Sequence, residues 1–325
     1  MAVTVRSFAK INLGLYIGAL RADGFHDLRT VYQTIALHDV IRVRVERGVG
    51  ISVKCADPRV PCDSTNTCHR MAERVMEQLG AAGRVVVEIE KMLPVQGGLG
   101  AGSSNAVATM IGLERALKKK LPQEVRLKIA TAVGSDLPLF LVGGTTLGVG
   151  RGEEVYPLPD LPAASLVVVT PEAGVSTPRA FADWDALAAS GGHGLTGRGG
   201  SDRLLEVGRA LSAWLVSPNT GASALGRSRA GSLLLDLVRT GIENDFERVV
   251  FPNYPELRDI KGALERAGAG YAALSGSGSA LFGVFRERKA AVRAAERLRG
   301  QNIRAVATTT VTRSQYWKKL LMAGR

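Results

Sequence analysis

Aromatic side chains are scarce in this chain of 325 residues: 8 Phe, 6 Tyr and 3 Trp make up only 5%. Proteins that grip single-stranded nucleic acid use aromatic platforms for base stacking, so a nucleic-acid-binding module is disfavoured. Cysteine is equally sparse. Cys55, Cys62 and Cys68 are odd in number and confined to one short stretch, which excludes a disulfide framework and a CxxC metal pair. Reduced thiols and a cytoplasmic location are therefore expected. No apolar run approaches the roughly 20 residues of a membrane-spanning helix, and Arg6 and Lys10 interrupt the stretch where a signal peptide would be apolar. Acid is in short supply, with 30 Asp and Glu against 42 Lys and Arg, a formal charge of +12. Such an excess favours anionic partners, among them nucleotides and phosphorylated metabolites. The rest, 46% hydrophobic and 22% charged, is an ordinary globular composition at a length that suits two domains.

Polar and apolar positions alternate over Val3 to Ile17 and Leu28 to Val45, around the turn Arg21-Ala22-Asp23-Gly24; this predicts antiparallel strands. Helical spacing covers Cys68 to Leu79 and Ala106 to Leu117, the latter with Ser103, Ser104 and Asn105 as N-cap candidates. Pro122 opens a further helix to Val133, and Val85 to Ile89, Leu147 to Val155 and Ser165 to Thr170 read as strands. Pro157, Pro159 and Pro162 punctuate the best hinge, so the expected domains are residues 1–160 and 161–325. The Gly- and Ser-rich stretches Ser190 to Gly200 and Ser217 to Gly231 read as loops. Helices are expected over Pro255 to Ala267 and Glu287 to Leu298. Between them lies a hairpin from Tyr271 to Phe285, turning at Ser275-Gly276-Ser277-Gly278, and a last strand starts at Ile303. The architecture is α+β.

Chemistry concentrates in Pro94-Val95-Gln96-Gly97-Gly98-Leu99-Gly100-Ala101-Gly102-Ser103-Ser104-Asn105. Glycines free the backbone of Cβ obstruction, successive N–H groups can converge on one anion, and the helix that follows adds its positive end. A strand, a glycine cluster and a helix stand in the order a phosphate cradle needs. Two familiar cradles fail. Gly97 and Gly102 have the Walker A separation, but Ser103 stands where its lysine must be, and no register gives the dinucleotide pattern GxGxxG. Gly276 and Gly278 by themselves need be no more than a hairpin turn.

The segment Pro94 to Ser104 resembles the nucleotide loop of the GHMP kinases, the superfamily of galactokinase, homoserine kinase and mevalonate kinase. Phe8-Ala9-Lys10-Ile11-Asn12-Leu13 and Leu274-Ser275-Gly276-Ser277-Gly278-Ser279-Ala280-Leu281-Phe282 resemble its two other signatures, in the expected order. The resemblance implies an amino-terminal nucleotide lobe, a ferredoxin-like carboxy-terminal lobe and an active site in the cleft between them. Arg21 to Leu28, Gly134-Ser135-Asp136-Leu137-Pro138 and Asn244-Asp245-Phe246-Glu247 are similar to one branch in particular. That branch uses ATP to phosphorylate the 2-hydroxyl of cytidine-diphosphate-linked methylerythritol in isoprenoid precursor synthesis. Phe25 stands where that branch usually has tyrosine, and Gln96 and Ala101 replace frequent glycines.

The resemblance implies Asp136 as general base and Lys10 as the cation that polarises the acceptor hydroxyl. It places Pro94, Gln96, Gly97, Gly98, Leu99, Gly100, Ala101, Gly102, Ser103 and Ser104 on ATP, with Asn66 and Lys91 at the nucleoside. Asn12 lies one strand pitch beyond Lys10 on the same face and would bond the sugar alcohol. Phe25 and Phe181 would clamp the cytosine, with His26 at the base edge and Thr177, Gly276 and Gly278 beside the substrate. Mg²⁺ is expected with the triphosphate, and Ser104 is the one side chain offered as its ligand. No nucleic acid, membrane or protein partner is expected.

Overall fold

The computed structural model describes residues 2–190, 197–216, 234, 238 and 242–322. Two long strands, β1 (Val3–Leu20) and β2 (His26–Glu46), pair antiparallel around the turn at 21–24. β2 also carries β4 (Arg84–Glu90) and β5 (Thr145–Val149); β3 (Ile51–Cys55) and β6 (Glu154–Pro157) complete the first sheet. Helices α1 (Thr67–Gln78), α2 (Ala101–Leu117), α3 (Gln123–Val133) and the short α4 (Leu137–Val142) belong to this lobe. Val75, Met71, Met110 and Leu113 from α1 and α2 pack on Ile41, Val43 and Val87 of the sheet in one apolar core.

The second sheet has the order β10-β7-β9-β8 and is antiparallel throughout. Its strands are β7 (Ser165–Val169), β8 (Tyr271–Leu274), β9 (Leu281–Phe285) and β10 (Ala305–Thr309). Helices α5 (Thr177–Ala189), α6 (Gly197–Val216), α7 (Glu247–Asn253) and α8 (Pro255–Arg266) separate β7 from β8, and α9 (Arg288–Gly300) separates β9 from β10. This is the ferredoxin-like order. Ala9, Ile11 and Leu13 of β1 meet Leu166, Val168, Phe282 and Val284 in a shared core, so β1 is buried on both faces between the lobes. That explains why Lys10 and Asn12 are almost wholly buried, at 4% and 1% exposure.

Several boundaries differ from the sequence expectation. α2 begins at Ala101, with Gly100 as N-cap in the left-handed conformation, so Ser103, Ser104 and Asn105 lie inside the helix. Leu147 to Val155 is two strands, β5 and β6, because Gly150 and Gly152 adopt positive φ in the turn between them. Residues 197–200 open α6 and are no loop; residues 191–196 and 217–231 lie outside the described residues. The chain's last helix, α10 (Arg313–Leu320), starts at a Thr312–Gln315 capping box and returns to the first lobe, where Tyr316 and Leu320 enter its core. Cys55, Cys62 and Cys68 are free, and burial pushes the Cys68 thiol up to about 12. Among the described residues no helix is long and apolar enough to cross a membrane.

Candidate active site

β1 and β2 do not pair in one unbroken register. Irregularities fall between Phe8 and Lys10 and between Asn12 and Gly14, and such bulges re-aim side chains. The ammonium of Lys10 donates to Asn12 Oδ1 at 2.7 Å and lies 3.3 Å from Asp136 Oδ2. Asn12 Nδ2 donates to Thr30 Oγ1 at 2.7 Å, and Thr30 donates on to the Gly14 carbonyl at 2.8 Å. Asp136 is the N-cap residue of α4, set by Gly134 before it and Pro138 after it, and its side chain keeps 34% exposure. Its other oxygen, Oδ1, accepts from the Tyr32 hydroxyl at 3.0 Å. Burial, reinforced by Asp136, holds the Tyr32 phenol well above its ordinary pKa, so Tyr32 is a neutral donor that orients the carboxylate.

The glycine loop is threaded between the two lobes. Lys10 N–H donates to the Leu99 carbonyl at 3.0 Å, while Ser275 Oγ and Ala280 N–H donate to the carbonyls of Gly98 and Gly97 at 3.0 and 3.2 Å. Gly98 must be glycine: its φ is +71°, and a Cβ there would stand 2.1 Å from the Ser275 carbonyl oxygen. Gln96 also adopts a positive φ, 58°, a region that costs a non-glycine residue about 1–2 kcal/mol. Asp39, wholly buried, braces both ends of the loop. It accepts from Lys91 Nζ, Met92 N and Leu93 N at 2.7 Å each and from Asn105 Nδ2 at 3.1 Å.

Two cavities open on this loop. One of about 370 Å³ is lined by Asn66, Lys91, Pro94 and the backbone from Gln96 to Ser103. Asn66 also caps α1, its Oδ1 accepting from Cys68 N at 2.8 Å. The other, about 720 Å³, joins Lys10, Asn12, Tyr32 and Asp136 to Phe25, His26, Thr177 and Phe181, with Gly98, Gly100, Ser103 and Gly276 on its wall. Ser103 reaches both cavities. Ser104, one residue deeper in the first turn of α2, is 2% exposed and lines neither, so the hydroxyl presented to a ligand belongs to Ser103. Gly278 lines a small neighbouring recess with Thr177 and Pro178 rather than the large cavity.

Phe25 stands on the turn at 50% exposure, with the Arg151 guanidinium 4.8 Å from its ring centroid. Phe181 lies in the first turns of α5, which Ser176 caps and Pro178 starts. The His26 ring stacks on Phe181 at 5.3 Å and 4°. Both His26 nitrogens face protein acceptors, the Gly18 carbonyl at 3.1 Å and Asp185 at 3.0 Å, so the imidazole is held by the fold rather than aimed at a base edge. Thr177 Oγ1 lies 2.7 Å from Ser277 Oγ, joining α5 to the second-lobe hairpin. Sequence reasoning missed Tyr32, Asp39 and Arg151. Only the antiparallel pairing, which sets residue 32 opposite residue 12, could have flagged Tyr32.

Residues 66–144 match the GHMP kinases N terminal domain and residues 223–304 the GHMP kinases C terminal. A 4-diphosphocytidyl-2-C-methyl-D-erythritol kinase of Solibacter usitatus is 38% identical over 294 residues, covering 90% of this chain and 84% of that one. The chain belongs to that kinase family. A relative of the same name from Moorella thermoacetica is 35% identical and covers 95% of this chain and 99% of its own. The crystal structure of a 4-(cytidine 5'-diphospho)-2C-methyl-D-erythritol kinase aligns with a TM-score of 0.69 at 29% identity, over 94% of this chain and 98% of the other. A homoserine kinase from Cytophaga hutchinsonii aligns at 0.68 with 19% identity, over 96% and 95%, which shows a shared fold. Membership makes the chain an ATP-dependent kinase of the GHMP superfamily.

Proposed function

We propose that the large cavity transfers the γ-phosphoryl group of ATP to the 2-hydroxyl of 4-diphosphocytidyl-2-C-methyl-D-erythritol, releasing ADP and the 2-phosphate. The observation that carries this reading is the continuity of one cavity from the Lys10–Asp136 pair, beside the glycine loop, to the aromatic wall of Phe25, His26 and Phe181. Asp136 takes the hydroxyl proton as the alcohol oxygen attacks the γ-phosphorus and the bond to the β–γ bridging oxygen breaks. Lys10 polarises the acceptor hydroxyl beside Asp136 and stabilises the charge that develops on its oxygen, and Asn12, fixed by Thr30, orients the alcohol. Tyr32 keeps the Asp136 carboxylate turned toward Lys10. Loop residues 94–104 cradle the phosphates, and Asn66 and Lys91 border the nucleoside.

Mg²⁺ supplies charge neutralisation at the β- and γ-phosphates when bound. Among the described residues no group of three His, Cys, Asp or Glu side chains converges, which fits an ion held mainly by phosphates and water. Ser103, on the cavity wall beside the loop, is the side-chain oxygen donor that would hold it. Phe25 and Phe181 bracket the cytosine, and Arg151, the further cation on this wall, suits the diphosphate. Residues 1–160 then form the nucleotide lobe and 161–325 the partner lobe, with α10 lent back to the first. The reaction belongs in the cytoplasm and calls for no protein or nucleic-acid partner.

A coupled ADP-release assay tests the assignment. ADP should appear with the cytidylyl conjugate and not with free methylerythritol, homoserine or mevalonate; transfer to homoserine or mevalonate alone would overturn it. Phe25→Ala should raise KM for the cytidylyl substrate about fivefold, from an aromatic contact of about 1 kcal/mol, with kcat little changed. An unaltered KM would put the base elsewhere.

A further inference from the structure

Residues 243–247 take no part in the chemistry above, yet they grip both sides of the cavity. On one side, Leu15 N–H donates to the Glu243 carbonyl at 2.9 Å and Asp245 N–H to the Leu15 carbonyl at 2.8 Å, and the buried Asp245 carboxylate accepts from Ile17 N–H at 2.9 Å. The segment is thereby fastened to β1 a few residues beyond Lys10 and Asn12. On the other side, both protons of the Asn244 amide are spent on a single turn: Nδ2 donates to the Leu274 carbonyl at 2.9 Å and to the Gly276 carbonyl at 2.8 Å. Glu247 Oε1 accepts from Leu274 N–H at 2.8 Å, and its second oxygen pairs with Lys261 of α8 at 2.6 Å.

The gripped turn is the one that closes over the reacting groups. Gly276, at φ +60°, faces the acceptor side so closely that a Cβ there would lie 3.4 Å from Asn12 Oδ1 and 3.5 Å from Lys10 Nζ. Ser275 bonds the glycine loop at Gly98. A shift of the turn away from β1 would therefore widen the space beside Lys10 and Asn12 and pull on the glycine loop at Gly98, and in-line transfer is steeply sensitive to such misplacement.

We propose that Asn244 is a positioning residue for phosphoryl transfer: by bonding the carbonyls of Leu274 and Gly276 while its neighbours are fastened to β1, it sets the distance between the second-lobe turn and the Lys10–Asn12 strand. This rests on reading the cavity as the kinase site. A buried asparagine at 3% exposure could serve stability alone, and the two roles separate in kinetics.

Asn244→Ala and Asn244→Asp, both of which remove the Nδ2 donor, should lower kcat at least tenfold per folded molecule while KM for the cytidylyl substrate moves less than about threefold. Amide hydrogen exchange should quicken over residues 272–281 and stay unchanged in α1 and α2. Glu247→Leu, which removes the acceptor for Leu274 N–H, replaces them if neither folds, with the same split expected. Wild-type kcat in these variants, or a loss of activity matched by faster exchange throughout the chain, would overturn the proposal. If the wild-type chain transfers nothing to the cytidylyl substrate, the functional reading fails instead, and the exchange pattern at 272–281 still decides whether Asn244 fixes the turn.

Discussion

Asp136→Asn is expected to lower kcat by about 10²- to 10⁴-fold, the range lost when a positioned general base is removed, with KM for ATP nearly unchanged. The carboxylate spends one oxygen on the Tyr32 hydroxyl and the other on Lys10. An amide can keep the first contact through its carbonyl but must then turn its NH₂ toward an ammonium, and it cannot take a proton at neutral pH. With a third of the side chain exposed, the fold should tolerate the change. Steady-state kinetics with both substrates varied checks it. Turnover within twofold of wild type would remove Asp136 as the base.

Lys10→Met is expected to cost about 10²- to 10³-fold in kcat, as loss of a preorganised charge does in a dry site. Methionine roughly matches the aliphatic stem, which packs where a Cβ on Gly100 would come within 2.9 Å of Lys10 Cγ; the variant thus removes the ammonium and little volume. Asn12 Oδ1 loses its donor at the same time, so part of the loss should appear as a higher KM for the acceptor. Because Lys10 and Asp136 act on one hydroxyl, the double variant should be scarcely slower than Asp136→Asn alone. Fully multiplicative losses would mean that the two groups act at separate steps.

Much of this was legible in the sequence, for identifiable reasons. Gly97, Gly98 and Gly100, ahead of a helix, point to close backbone approach, and Gly98 meets the second lobe within 2.1 Å of where its Cβ would be. Lys10 stood out as a charge in an apolar strand, and that strand is buried on both faces. What escaped notice depends on pairings that no local pattern encodes. Tyr32 reads as one more strand aromatic until β1 and β2 are set in register, and Asp39 reads as a strand-end acid until Lys91, Met92, Leu93 and Asn105 converge on it from two distant segments. The start of α2 was misplaced because its cap is a left-handed glycine with no side-chain bond, whereas sequence signals for helix starts rely on capping hydroxyls and amides. Ser103 and Ser104 thus read alike as capping hydroxyls, whereas Ser103 lies on the cavity wall and Ser104 is buried in the first turn of α2.

The most direct test of the central claim is a crystal structure of the chain with 4-diphosphocytidyl-2-C-methyl-D-erythritol and a non-hydrolysable ATP analogue. The account predicts the 2-hydroxyl within hydrogen-bond reach of Asp136 and Lys10, in line with the γ-phosphate at Gly98 to Ser103, and the cytosine against Phe25 and Phe181. A base seated away from that wall, or a hydroxyl out of reach of the Asp136 carboxylate, would contradict it.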